Sequence, residues 1–403
     1  MSKPFSWQTA YAYLCGMVLV IFCIGVLFYM NTRIYLGLFV LVLLVSFHCR
    51  KSRNGSSMPG PNPDSSGGTA TIKDSVLISG LNFPWEILWG PDNFIWMTER
   101  GGKISRLNPV TGALVPIATI PEVVSIGEGG MLGMVLHPDF PTNPSVFVVY
   151  DYNSGNGYTE KVVRYNYSGG ALSSPVTLID NIHANSIHNG SRLLILNNQL
   201  FITTGDAGDQ SQPQNMSVVN GKILRINLDG SIPADNPVPG NPVWSFGHRN
   251  PQGLVYANGI LYSAEHGQNT DDEINIIEKG RNYGWPNVTG PCDLSEEQSF
   301  CSANNVKESI KAWTPTIAPS GLDFYDKAMI PQWRNSLLLA TLKNRRLIQL
   351  KLDEAHTSII ETHEFFTDKY GRMRDVCISP DGKVYICTSN GGDDKVIVVQ
   401  ASE

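Results

Sequence analysis

Two polar residues of the chain have the types that proton abstraction requires. His188 lies in the segment SIHNGSRL, and Asp206 ends a predicted strand in TTGDAGD. A neutral imidazole near a carboxylate is the usual general base at neutral pH. Taken alone, however, His188 also fits a structural histidine, and Asp206 also fits an Asx turn. Spacing along the chain leaves these alternatives open.

Two arginines close together in the sequence raise the question of an anionic ligand. Arg372 and Arg374 lie in GRMRDV, and in a strand both side chains would point to the same face. Their guanidinium groups repel each other unless an anion lies between them. A ligand with carboxylates or phosphates, held by bidentate contacts, is one explanation, and a solvated edge with acidic neighbours is the other.

Two further segments combine polar with turn-forming residues. Arg249 and Asn250 lie in FGHRNPQGL, whose proline and glycine predict a rigid, irregular loop. Residues 265–288 are rich in carboxylates, which suits Ca²⁺ held by side-chain and backbone oxygens. This run lacks the Asp/Asn alternation and the terminal Glu of an EF-hand loop, so a solvated acidic loop is the alternative.

A recurring pattern predicts the elements that position these residues. Six segments share a polar turn, an apolar strand and polar residues at the strand's end, without helical periodicity. They span 90–100, 146–153, 196–206, 256–267, 334–343 and 379–390. A four-stranded propeller blade takes ~40 to 50 residues, and inserted loops lengthen it. The pattern therefore predicts an all-β fold, a six-bladed β-propeller of four-stranded antiparallel sheets over residues 71–403, whose loops meet at the mouth of a central channel; a β-sandwich is the alternative.

Composition agrees with an all-β protein and excludes a polyanionic partner. The chain has 403 residues, 42% of them hydrophobic, with 38 Gly and 25 Pro, so it can bury a large core and make many turns. Formal net charge is −6 and no long basic run occurs, which argues against nucleic acid.

The cysteines predict one disulfide. Cys292 and Cys301 bracket DLSEEQSF, which is predicted to be a loop, and a disulfide across it would need an oxidising compartment. Cys377 and Cys387 lie in strand-like runs and are predicted to be small buried hydrophobic residues.

Residues 1–49 form a hydrophobic leader. Read from Met30, it resembles a bacterial lipoprotein signal peptide that ends at Cys49, where a lipid would anchor the protein to the membrane. The alternative, a two-helix membrane hairpin, would keep the propeller in the cytoplasm, which conflicts with the disulfide. We therefore expect an exported protein of the periplasm or cell envelope. Residues 50–70 have the composition of a flexible linker.

Taken together, these segments resemble the soluble PQQ-dependent glucose dehydrogenase and aldose sugar dehydrogenase family, where PQQ is pyrroloquinoline quinone. The matching strings run in the family's order from about residue 81 to residue 388. They are PWEILWGPDNFIWMTER, GGMLGMVLHPDF, GKILRINLDGSIPADNP, GHRNPQGL, NTDDEINIIEKGRNYGWPNV, WTPTIAPSG, LLLATLK and RMRDVCISPDGKVY.

The resemblance implies a role for each matching residue. His188 would be the general base, oriented by Asp206, and Arg249 would lie over the substrate and the quinone. Glu128 takes the place of a glutamine beside the base. The implied PQQ contacts are Asn250, Thr316, Lys343, Arg372 and Arg374. The implied ligands of the active-site Ca²⁺ are the backbone carbonyls of Gly267 and Gln268.

The implied reaction is the oxidation of an aldose sugar at its anomeric carbon to a lactone, with hydride transfer to the quinone and an external cytochrome or quinone as electron acceptor. Lys343, Arg372 and Arg374 would then neutralise the three carboxylates of PQQ. Ile187, Lys311 and Gln268 depart from the glucose dehydrogenases, which leaves the sugar open.

Two other functions fit a propeller. A Ca²⁺-dependent lactonase would need several carboxylates and amides converging on a metal in the channel, and it would have no use for three cofactor cations. A binding protein, such as the related hedgehog-interacting proteins, would need neither the base nor those cations.

Overall fold

The computed structural model describes residues 68–155 and 157–402, and it confirms the predicted six-bladed propeller. Each blade is an antiparallel sheet of four strands. The first blade contains β2 (Pro84–Trp89), β3 (Ile95–Glu99), β4 (Lys103–Leu107) and β5 (Leu114–Thr119). The second contains β6 (Met131–Leu136), β7 (Ser145–Asn153), β8 (Tyr158–Ser168) and β9 (Ala171–His183). The third contains β10 (Gly190–Leu196), β11 (Gln199–Thr204), β12 (Lys222–Asn227) and β13 (Val243–Phe246). The next two contain β14 (Pro251–Ala257), β15 (Ile260–Glu265), β16 (Asp272–Ile276) and β17 (Lys311–Trp313); and β18 (Pro319–Tyr325), β19 (Ser336–Thr341), β20 (Leu347–Leu352) and β21 (Ile359–Phe365).

The sixth blade closes the ring with strands from both ends of the described chain. It contains β22 (Met373–Ile378), β23 (Val384–Thr388) and β24 (Asp394–Ala401), with β1 (Ile72–Leu81) added to β24. The pairing runs from Ile72 opposite Ala401 to Leu81 opposite Asp394. Closure of this kind leaves only short, protected sheet edges.

The six segments that share one sequence pattern coincide with the second strands of the six blades, namely β3, β7, β11, β15, β19 and β23; only Ser145, the first residue of β7, lies outside them. These strands are almost entirely buried because each blade packs on both faces against its neighbours. Trp96 of the first blade, for example, shares one core cluster with Met134 and Val148 of the second. The recurrence in sequence therefore reflects burial on both faces.

The segment between Cys292 and Cys301 differs from its prediction. It was expected to be a loop, but helix α1 begins at Ser295 and ends at Asn304. The buried carboxylate of Glu297 accepts the backbone N–H groups of Leu294 (3.3 Å) and Thr289 (3.0 Å), which fixes the start of the helix. A 3₁₀ turn also occurs at Pro331–Trp333.

The cysteine predictions are confirmed. A disulfide joins Cys292 to Cys301, and Cys377 and Cys387 are buried free thiols. The leader at 1–49 and the linker up to residue 67 lie outside the described residues. Within the described part of the chain, no helix has the length and apolar character that a membrane span requires.

The topology brings the predicted site segments to one end of the channel. The first strands of neighbouring blades, β2, β6, β10, β14, β18 and β22, contact one another around the axis. Segments that precede a first strand and segments that follow a second strand share one end of the blade, because these strands are antiparallel. This end is the mouth. Residues before first strands are Glu128, His188, Arg249, Asn250, Thr316 and Arg372; those after second strands are Asp206, Gly267, Gln268 and Lys343.

Candidate functional site

The predicted base and its carboxylate are in direct contact. Nδ1 of His188 lies 2.7 Å from Oδ1 of Asp206, and the carboxylate is only 1% exposed. Oδ2 of Asp206 accepts the indole N–H of Trp285 at 2.9 Å. Oδ1 also accepts the backbone N–H of Gly208 at 2.8 Å, so the Asx turn exists as well. The two interpretations of Asp206 are therefore compatible.

The backbone around the base is held by close approach of two segments. His188 has a φ of 58°, and its carbonyl oxygen accepts the backbone N–H of Ala207 at 3.1 Å. A β-carbon on Gly205 would lie 1.8 Å from that oxygen. Only glycine permits this approach, which places the segment after β11 against the segment before β10.

Glu128 lies beside the base, where the resemblance placed it. Its Oε2 accepts the backbone N–H of His188 at 3.2 Å, and its own N–H donates to the carbonyl of Ser186 at 2.8 Å. Arg100 supports the same turn by donating to the carbonyl of Gly127 at 2.5 Å. Glu128 thus contacts the backbone of the base and helps to fix its position.

Arg249 lies next to the His188 and Asp206 pair, and one of its N–H donors is not used within the described residues. Its guanidinium centre is 5.3 Å from the ring centroid of Trp285, and Nη1 donates to the carbonyl of His266 at 3.3 Å. Burial lowers the pKa of Arg249, against the opposing charge of Asp206. Its buried Nε donates to no described residue.

Asn250 presents a second unused donor. Its Oδ1 accepts the backbone N–H of Gly190 at 3.0 Å, which ties β14 to the start of β10. Its Nδ2 is buried and has no partner among the described residues. A buried amide without a partner is costly, so a ligand acceptor at this position would stabilise it.

The two arginines of GRMRDV do not share a strand face, contrary to the prediction. Arg372 precedes β22 and is exposed, whereas Arg374 is the second residue of the strand and is 4% exposed. A register shift between Met373 and Asp375 also interrupts the regular alternation of side chains between the two faces of the strand. Burial, with a contribution from the charge of Arg372, lowers the pKa of Arg374 to about 10. The two arginines therefore differ in burial, and the charge of Arg372 acts on Arg374.

Arg374 is oriented by neutral groups. Its Nη1 donates to Oε1 of Gln252 at 2.6 Å and lies 3.3 Å from Oγ of Ser320, while its Nε donates to nothing in residues 68–155 and 157–402. Lys343 is exposed at the same mouth, and its Nζ donates to Oγ1 of Thr316 at 2.6 Å.

The cations at the mouth have no carboxylate partners in the described structure. None of its ion pairs includes Arg249, Lys343, Arg372 or Arg374. Bidentate guanidinium groups and an ammonium group suit ligand carboxylates. The mouth can therefore hold an anion next to the imidazole.

The acidic segment after β15 is only partly solvated. Asp272 is 1% exposed, and its carboxylate accepts the backbone N–H groups of Gly267 (2.7 Å), Ala318 (2.7 Å) and Ile317. A solvated acidic loop is therefore the wrong description of Asp272, which holds two loops together.

The predicted calcium ligands lie in this segment. Neither carbonyl oxygen, that of Gly267 or that of Gln268, accepts a hydrogen bond from a described residue. The described residues also contain no group of three or more His, Cys, Asp or Glu side chains that could hold a metal ion.

A family model described as Glucose / Sorbosone dehydrogenase matches residues 81–398. The chain belongs to the glucose/sorbosone dehydrogenase family. Quinoprotein glucose dehydrogenase B of Acinetobacter calcoaceticus is 33% identical, over 79% of this chain and 85% of its own.

Solved structures agree with the family assignment. The PQQ-bound aldose sugar dehydrogenase of Streptomyces coelicolor is 31% identical with a TM-score of 0.71, over 83% of this chain and 99% of its own. The apo form of the soluble aldose sugar dehydrogenase of Escherichia coli is 28% identical with a TM-score of 0.74, over 82% and 100%. The family resemblance found in the sequence is thus confirmed.

Two residues at the mouth of this dehydrogenase could not be found from the sequence. Trp285 lies in a string that matches the family, but its sequence context predicts neither of its contacts, with Asp206 and with Arg249. Gln252, which orients Arg374, lies in FGHRNPQGL, whose proline and glycine predict only a rigid loop. Neither contact has a signal in the spacing, because Trp285 is 79 residues from Asp206 and Gln252 is 122 residues from Arg374 along the chain.

Proposed function

We propose that the chain oxidises aldose sugars at the anomeric carbon to lactones, using PQQ and Ca²⁺, with His188 as the general base. One observation carries the proposal: the contact between His188 and Asp206 lies at the same channel mouth as a set of cations without carboxylate partners. A base alone would suit many reactions, but the base together with several cations that form no ion pair within the described residues suits a polyanionic cofactor.

His188 has the arrangement that a base requires. When its Nδ1–H donates to Asp206, the lone pair of Nε2 is free to take the proton of the anomeric hydroxyl. Asp206, held in turn by Trp285, stabilises the imidazolium that then forms. Glu128 accepts the backbone N–H of His188 and would help to hold the base in place.

The donors at the mouth fit PQQ. Nε of Arg374, Nδ2 of Asn250 and Nε of Arg249 are buried without partners among the described residues, and Lys343 and Arg372 add exposed positive charge. These residues would hold the carboxylate and carbonyl oxygens of the cofactor. When bound, PQQ supplies the acceptor for the hydride that leaves the anomeric carbon.

The carbonyls of Gly267 and Gln268 would hold Ca²⁺, which prefers oxygen ligands of this kind. Arg249 connects this segment with the base, because it donates to the carbonyl of His266 and its guanidinium lies over the ring of Trp285, which donates to Asp206. In that position it would stabilise negative charge that develops during the reaction.

We further propose that the hydrophobic leader directs the protein to the cell envelope and that an external cytochrome or quinone receives the electrons. The disulfide between Cys292 and Cys301 supports an oxidising compartment. Two carboxylates, those of Glu86 and Asp375, converge on the guanidinium of Arg192, which occupies the place that a metal ion would take in a lactonase.

Reconstitution tests the proposal. Purified full-length chain, in mild detergent and stripped with a chelator, receives PQQ, Ca²⁺, both or neither, and aldose-dependent dye reduction is followed. We expect turnover only with both additions. Lactone hydrolysis without PQQ would point to the lactonase, and a lack of both PQQ binding and turnover would point to the binding protein.

A further inference from the structure

Two buried acidic residues lie next to the segments that carry Glu128 and His188. Asp151 of β7 and Glu160 of β8 are directly opposite each other across the two strands. Their side chains are 0% and 1% exposed, and no cationic side chain pairs with either in the described structure. Two carboxylates in such a place need a structural or functional reason.

One oxygen of Asp151 joins the segments that carry Glu128 and His188. Oδ2 accepts the backbone N–H of Gly130 at 2.8 Å and the amide N–H of Asn189 at 3.3 Å. Gly130 comes two residues after Glu128, and Asn189 comes directly after His188. The phenol of Tyr158 donates to the same oxygen at 2.8 Å. Displacement of this oxygen would therefore move both segments.

The packing around this oxygen is tight. A β-carbon on Gly129 would lie 2.1 Å from Oδ2 of Asp151, 2.2 Å from the phenol oxygen of Tyr158 and 2.9 Å from Nδ2 of Asn189. The residue next to Glu128 thus approaches the carboxylate as closely as glycine permits. The Glu128 segment is consequently held in one position relative to His188.

We propose that Asp151 is a positioning residue, which holds Glu128 and the base His188 in register through Oδ2 without touching the substrate. This inference rests on the proposed function, since it concerns the base of that reaction.

The remaining oxygens of Asp151 and Glu160 indicate which residue can replace Asp151 without loss of its hydrogen bonds. Oε2 of Glu160 accepts the hydroxyl of Ser191, but Oδ1 of Asp151 and Oε1 of Glu160 have no partners among the described residues. Neighbouring buried carboxylates disfavour two negative charges, and burial raises the pKa of Asp151 to about 7. A proton on Oδ1 leaves Oδ2 free to accept its three hydrogen bonds. An asparagine has the same acceptor and places an N–H₂ group at the Oδ1 position.

The test compares Asp151→Asn with Asp151→Ala in the reconstituted full-length chain. We expect the alanine variant to lose about tenfold or more in kcat, because small displacements of catalytic groups are costly. Its KM and its PQQ affinity should stay within about twofold of wild type, and Asp151→Asn should retain kcat within about threefold, since the acceptor is restored. Asp323→Ala is the matched control: burial raises the pKa of Asp323 to about 7 as well, but this residue lies toward the other end of β18 from the mouth.

A second readout does not depend on turnover. The Nδ1 proton between His188 and Asp206 should give a low-field proton resonance in the apoprotein, assigned by its loss in His188→Ala. We expect Asp151→Ala to shift or broaden it, and Asp151→Asn and Asp323→Ala to leave it unchanged. If the alanine variant does not fold, Asp151→Leu fills the space without the acceptor and takes its place.

Three results would overturn the proposal: wild-type kcat in the alanine or leucine variant, an equal fall of kcat in the asparagine variant, or an unchanged His188 resonance in a variant without the acceptor. If wild-type protein shows no PQQ-dependent turnover, the proposed function fails, but the resonance still decides whether Asp151 positions His188.

Discussion

Buried arginines around the channel axis fall into two groups that differ in their partners. Inside the channel, Nη1 of Arg192 lies 2.6 Å from Glu86 and 3.1 Å from Asp375. At the mouth, Arg374 is equally buried but contacts only neutral oxygens within the described residues. Burying an unpaired charge is costly. The comparison teaches that the interior neutralises its own charge for stability, whereas the mouth leaves positive charge for a ligand.

The largest effect is expected from removal of the base, which should stop proton abstraction without changing the cations that bind the cofactor. His188→Ala should lower kcat by about 10²- to 10⁴-fold, because the proton acceptor is lost, while PQQ affinity stays unchanged. Steady-state dye reduction and a PQQ titration measure the two quantities. His363→Ala, on the outer strand β21, is the control and should retain wild-type rates. Wild-type turnover in His188→Ala would show that the base is another group.

Arg192→Met tests whether the paired arginine inside the channel contributes to stability. This change leaves Glu86 and Asp375 without their cation, so the free energy of unfolding should fall by about 3 to 5 kcal/mol. Denaturant unfolding of the apoprotein measures it. PQQ affinity at a temperature where the variant is folded should stay near wild type.

The matching change at the mouth is Arg374→Met. PQQ affinity should fall about 10- to 100-fold, as expected for the loss of hydrogen bonds to charged groups, while the stability of the apoprotein changes little or rises. Titration and denaturant unfolding are again the measurements. If Arg374→Met lost stability as Arg192→Met does and kept its PQQ affinity, the contrast between interior and mouth would be wrong.

A smaller effect is expected from Arg372, which is exposed. Arg372→Ala should weaken PQQ binding about two- to fivefold at low salt, and less at high salt, because exposed charges are screened. Arg334→Ala removes an exposed arginine elsewhere on the propeller and should change nothing. Equal losses in the two variants would indicate a general effect of net charge.

The smallest effect concerns pH. Burial raises the pKa of Asp151 from 3.8 to about 7, so the folded protein binds this proton more tightly than the unfolded chain does. The resulting stability is complete below pH 4 and is lost as pH rises through 7. The Tm of wild type should therefore fall more than that of Asp151→Asn between pH 5 and pH 8 in thermal melts. Parallel melting curves would argue against the raised pKa.

The fold was predictable because burial on both faces of a blade leaves a repeated pattern in its second strand. The contents of the site were predictable only through the family resemblance, since His188 and Asp206 are 18 residues apart and their contact depends on Gly205. Local rules failed where tertiary contacts override them. Alternation failed at Arg372, which lies before β22, and the loop prediction failed at α1, where the buried Glu297 fixes the helix start.

Direct titration of PQQ into the Ca²⁺-loaded apoprotein by calorimetry tests most directly whether the mouth's unpaired cations hold a polyanionic quinone. We expect one PQQ per chain, with an affinity that falls as salt rises and that is lost in a combined Arg372→Ala, Arg374→Met variant. Binding that is equally strong in this variant, or no binding to wild type at all, would contradict the account.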